Sequence, residues 1–118
     1  MARISRAYAV IVAAAGIAVL VAGATLHATA ETNPEVTIRL FAFRPSPQTV
    51  ATGTPITWLN QDEIRHTITS GKPDKPDGRF SLDLNGKGTS GTVEFTQAGV
   101  YPYFCERHQS MRGEIRVN

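Results

Sequence analysis

The sequence predicts an all-β fold, a small β-sandwich, on three observations. Short runs rich in β-branched and aromatic residues recur from residue 36 to the C-terminus. Clusters of Gly, Pro, Asn and Asp punctuate them at short intervals. No stretch beyond the N-terminal segment repeats apolar residues with the period of an amphipathic helix. Many short strands in a chain of this size imply two sheets packed face to face. Fold class by itself assigns no function, so the chemistry has to come from particular side chains.

The N-terminal segment stands apart. Arg3 and Arg6 precede the uncharged apolar run 7–24, and a short polar stretch ends in Ala28-Thr29-Ala30. A basic start, an apolar middle and a small-x-small end read as a secretory signal peptide over 1–30, cut before Glu31. The rival is an uncleaved membrane anchor, since the run is just long enough to span a bilayer, although its alanine richness weakens it in that role. Either way the remainder, 31–118, reads as one domain outside the cytoplasm. Removing 30 residues from 118 leaves 88, enough for one modest core.

The strands follow in order. In VTIRLFAF, 36–43, alternation puts Val36, Ile38, Leu40 and Ala42 on one face. PITWLN, 55–60, carries Ile56 and Trp58; HTITS, 66–70, follows the polar turn 60–65. GTVEF at 91–95, VYPYF at 100–104 and GEIRV at 113–117 complete the set. Turns are expected at 51–55, at 71–78 (GKPDKPDG, a solvated loop) and at 85–88. Pro102 inside its run predicts an edge position or a bulge.

Charge excludes one class of partner. The whole chain has 12 basic and 10 acidic residues, but two of the basic ones lie in the leader, leaving ten of each. A balanced surface with no basic stripe gives no footprint for nucleic acid.

Cysteine usage is more informative. A single cysteine, Cys105, cannot form an internal disulfide, and a bare thiol in an oxidising compartment is a liability. It must be buried and inert, or coordinated. Its neighbours decide between these. Beyond the leader the chain has two histidines, His66 and His108, and one methionine, Met111. Three of these four residues fall in Cys105-Glu106-Arg107-His108-Gln109-Ser110-Met111, between two strands. Cys105 shares parity with Tyr101 and Tyr103, and a loop doubling back can bring His108 and Met111 around one point.

One thiolate, two neutral imidazoles and a thioether form a soft N/S ligand set that suits copper in an electron-transfer site. A thioether is a poor partner for zinc. Haem attachment needs a second cysteine. A Cys105–His108 nucleophilic dyad lacks an orienting third group and has an unusual spacing for hydrolases, and a multicopper cluster needs more histidines than the chain has. No enzymatic activity is therefore expected. Each residue alone has a blander role: His66 as a surface or capping residue, His108 as a loop residue, Met111 as core filler. Their joint grouping is what favours the metal.

The stretch YPYFCERHQSMRGEIRV resembles the C-terminal copper loop of the cupredoxins, of the amicyanin and plastocyanin type. TGTPITWLNQDEIRHTITS is similar to the segment that supplies their first histidine, and the resemblance covers 36–118. It implies a Greek-key β-sandwich with one type 1 copper ion bound by His66, Cys105, His108 and Met111. It also implies a carrier of single electrons between transient protein donors and acceptors. A monomer is expected, touching membrane only through an uncleaved N-terminal segment. Two departures stand out. Thr67 occupies the position of an asparagine that braces the copper loop in those relatives, and Glu106, Arg107 and Gln109 make this loop more polar than theirs. Storage or delivery of copper outside the cytoplasm is the alternative function, and a metal-free interaction module is a third.

Overall fold

A computed structural model describes residues 33–118, together with positions 18 and 22–24. The leader expected over 1–30 otherwise lies outside the described residues. Among those residues there are nine strands and no helix. The strands are β1 (Glu35–Arg39), β2 (Ala42–Arg44), β3 (Gln48–Val50), β4 (Thr54–Asn60), β5 (Arg65–Lys72), β6 (Lys75–Asn85), β7 (Ser90–Phe95), β8 (Gly99–Phe104) and β9 (Arg112–Val117). They form a four-stranded sheet, β2-β1-β4-β7, and a five-stranded sheet, β3-β9-β8-β5-β6. Both sheets are mixed: β1 runs parallel to β4 and β3 parallel to β9, and the other pairs are antiparallel.

The two sheets share one core. Val36, Ile38, Phe43, Ile56, Trp58 and Phe95 face Ile68, Leu84, Tyr103, Ile115 and Val117 across it. Period-two alternation explains most of these placements: in β4, Ile56, Trp58 and Asn60 are buried while the residues between them are half-buried. Full burial of each large aliphatic side chain contributes about 1.5–3 kcal/mol relative to leaving it exposed.

Three sequence expectations are corrected by the fold. The single strand 36–43 is broken into β1 and β2 by Leu40 and Phe41, both at positive φ (50° and 58°). Leu40 consequently leaves the inward face and is 76% exposed. The loop expected at 71–78 is largely strand: β5 runs to Lys72, which pairs with Lys75 across a tight Pro73-Asp74 turn. Gly71 makes this possible, because it sits at φ 100° and a Cβ there would come within 2.6 Å of the Lys75 carbonyl. Pro102, finally, lies in an internal strand. It is opposite Glu114 of β9, and β5 pairs β8 only at Phe104 and Tyr103, so no ladder partner on the β5 side is opposite Pro102.

The topology gathers several chain segments at one end of the sandwich. The β1–β2 turn, the loop between β4 and β5, the start of β5 and the loop between β8 and β9 all meet there.

Candidate metal centre

The β8–β9 loop is closed by its own backbone. Phe104 pairs with Arg112, the Cys105 N–H donates to the Met111 carbonyl at 3.1 Å, and the Met111 N–H donates to the His108 carbonyl at 2.8 Å. The spacing Cys-x-x-His-x-x-Met thus becomes a loop with a tight turn inside it, aiming the side chains of Cys105 and His108 at a common point. His66 reaches that point from the neighbouring strand, because the pairing of Thr69 with Phe104 sets the start of β5 beside the end of β8.

Cys105 Sγ lies 3.8 Å from His66 Nδ1 and 3.8 Å from His108 Nδ1. The three ligand atoms all fall within 4.8 Å of one another. Cys105 and His66 have no solvent exposure, whereas His108 is half-buried. Met111 is 3% exposed at the C-terminal end of the loop.

This donor set fits copper. First-row metal bonds of about 2.0–2.3 Å to widely spread N and S donors put those atoms about 3.5–3.8 Å apart, which is the spacing of the sulfur from each imidazole nitrogen. The sulfur accepts the Thr67 N–H at 3.4 Å, which fixes its position against the start of β5. Both imidazoles present Nδ1 to the sulfur, leaving Nε2 for partners outside the site.

Thr67 ties β5 to the loop a second time. Its Oγ1 accepts the Glu106 N–H at 2.8 Å and exchanges a hydrogen bond with Thr69 Oγ1 at 3.2 Å. A hydroxyl therefore provides one of the contacts expected of a bracing side chain at this position.

Two contributors were not singled out in the sequence. Phe41, held in the β1–β2 turn, sets its ring edge-on to both imidazoles, 5.5 Å from His66 and 5.0 Å from His108 by centroid. Asp62 places Oδ2 2.8 Å from His66 Nε2 and accepts the backbone N–H groups of Leu40 and Phe41 at 2.7 and 3.1 Å. Burial pushes the Asp62 carboxyl up, but hydrogen bonds from Phe41, His66 and Leu40 outweigh it and hold it below the usual carboxylate range. The one available signal for Asp62 was an acid four residues before a histidine. For Phe41 there was none, since its strand pattern looked continuous.

An all-β sandwich with two imidazoles and a buried thiol converging at one end defines a mononuclear copper protein. A family model for copper binding proteins of the plastocyanin/azurin family matches residues 30–118, and the chain belongs to that family. Plastocyanin from Scenedesmus fuscus is 35% identical over 97 residues, covering 70% of this chain and 99% of that protein. Amicyanin from Paracoccus versutus is 29% identical over 69 residues, 58% of this chain and 52% of that one. Among solved structures, a purple cupredoxin from Nitrosopumilus maritimus superposes with a TM-score of 0.67 at 26% identity, covering 73% of this chain and all of that one. A reduced amicyanin mutant gives 0.62 at 26% identity, over 73% and 82% of the two chains.

Proposed function

We propose that this chain is an exported electron carrier that passes single electrons between transient protein partners through one copper ion held by His66, Cys105, His108 and Met111. The observation that carries the reading is the buried Cys105 sulfur, 3.8 Å from an imidazole nitrogen on either side. Bound copper supplies the one-electron couple. The protein supplies a rigid frame: His66 is set by a strand, and Cys105 and His108 by a loop whose two ends are hydrogen-bonded to each other. Such a frame limits rearrangement between oxidation states that prefer different geometries. His66 is the deep imidazole. His108, partly exposed beside Phe41, would be the exit toward a partner, and Cys105 would link the bound ion covalently to β8. Met111, buried where the loop rejoins β9, would add a weakly held thioether sulfur to the set. The signal-peptide pattern over 1–30 supports export, and a monomer suffices for the role.

Titration of purified protein with Cu(II) tests the reading. Expected is one equivalent bound, intense visible colour from thiolate-to-copper charge transfer, and a reversible one-electron wave without metal loss. Cys105→Ser should abolish the colour. A colourless complex overturns the site, and release of copper at each reduction favours delivery over electron transfer.

A further inference from the structure

We propose that Asp62 is a positioning residue of the copper centre: its carboxylate fixes the ring orientation and tautomer of His66 and ties the Leu40–Phe41 turn over the two imidazoles. The inference rests on His66 being a ligand, and it adds a residue outside the ligand set.

The argument begins with acceptor chemistry. A carboxylate offers two oxygens and only accepts, so whatever nitrogen faces it must carry a proton. Asp62 Oδ2 is 2.8 Å from His66 Nε2. The neutral ring then has its proton on Nε2 and a bare lone pair on Nδ1, the atom 3.8 Å from Cys105 Sγ. His66 is fully enclosed, with no solvent to supply an alternative partner for the ring N–H. The carboxylate thus selects the one tautomer able to bind metal from this position, before any metal arrives. Behind a metal-bound imidazole it also raises ligand basicity, which favours the more highly charged Cu(II).

The same group has a second task. Leu40 and Phe41 hold left-handed backbone conformations that non-glycine residues disfavour. Their consecutive N–H groups converge on Asp62, one on each oxygen. Three donors from two segments therefore meet one anion. An asparagine has a single acceptor oxygen and would turn an NH2 toward donors, so it cannot replace all three bonds. Asp62 is itself held in place: its N–H donates to Asn60 Oδ1 at 2.9 Å, and buried Asn60 spans the loop by donating to the carbonyls of Ile64 and Leu84. The Phe41 ring, edge-on to His66 and His108, is carried by the turn that Asp62 ties down. The result is a mechanical link from the deep ligand to the surface beside the exposed one.

Nitrogen-detected tautomer NMR on the copper-free protein gives a readout independent of electron transfer. Native His66 should be a single Nε2–H species, and Asp62→Ala should release it into a tautomer mixture. In copper-loaded protein, Asp62→Asn should weaken Cu(II) about 10–100-fold and Cu(I) less. Each tenfold change in that ratio raises the reduction potential by about 59 mV. Native His66 protonated on Nδ1, or an Asp62→Asn protein that loses thermal stability at unchanged potential, overturns the proposal. Neither result requires that the native protein fail to bind copper, so the outcome is separable from that of the function itself.

Discussion

Met111 shows what one side chain of the proposed ligand set must reconcile. Its backbone is fixed at both ends, the N–H to His108 and the carbonyl to Cys105, so the thioether is delivered to the end of the loop with little freedom. The side chain is 3% exposed in surroundings shared with the core. Met111→Gln separates an axial ligand from simple filling. If position 111 ligates, the amide oxygen takes the place of sulfur, copper is retained, and the potential falls because a harder donor favours Cu(II). If it does not, a buried amide is left without a partner and the folded state loses about 1–3 kcal/mol with the potential unmoved. Voltammetry and urea denaturation of the same variant distinguish the two, and an unchanged potential removes Met111 from the ligand set.

At the scale of elements, the loop and β5 act as one unit through Thr67. Its N–H bonds to the Cys105 sulfur and its Oγ1 receives the Glu106 N–H, so one residue contacts that sulfur and the loop that carries it. Thr67→Val keeps the strand-favouring shape and the N–H but removes the acceptor. The copper-free protein should lose about 0.5–1.5 kcal/mol in urea denaturation, and copper should dissociate faster from the variant. Unchanged stability and unchanged dissociation would reduce Thr67 to a strand residue. The elements differ in how far the sequence disclosed them. The runs at 55–60, 66–70, 91–95, 100–104 and 113–117 all fall within strands, because each carries β-branched or aromatic residues between turn signals, a composition that reads as strand even at 66–70, where every residue is buried and nothing alternates. β6 did not announce itself, since its first five residues are exposed and include Lys75, Pro76, Asp77 and Gly78, the composition of a turn. β2 and β3 have three residues each, too few for a period to register. The site divides in the same way. His66, Cys105 and His108 were conspicuous through rarity and spacing, and the structure brings them within 4.8 Å. Asp62 and Phe41 depend on a left-handed turn that closes only when β1 and the β4–β5 loop pack side by side, a contact that no local pattern encodes.

For the whole molecule, the residue that joins the sheets also sets an alkaline limit on stability. Tyr103 of β8 reaches across to the opposite sheet, edge-on to Phe43 at 4.8 Å and to Trp58 at 5.5 Å. Its ring fills the space over Gly113, its β9 partner, where a Cβ would come within 2.2 Å of the ring. Enclosed this way, its hydroxyl and the Trp58 indole N–H both lack a protein hydrogen-bond partner among the described residues. Burial pushes the phenol up to about 12, and the nearby indole offsets only part of that. The folded protein therefore keeps this proton where the unfolded chain, with tyrosine near 10, has released it. Between those values the unfolded state binds fewer protons, so stability must fall as pH rises. The contribution is intact below about pH 10 and is lost toward about pH 12, on the order of 2–3 kcal/mol in all. Tyr103→Phe removes the titrating group and deletes a hydroxyl that makes no hydrogen bond, so its stability at neutral pH should match the native protein within about 1 kcal/mol. Across the alkaline range its urea midpoint should decline less steeply than that of the native chain. Parallel decline in both proteins would mean that other groups, lysines foremost, govern alkaline unfolding and that Tyr103 holds the sheets together without coupling them to pH.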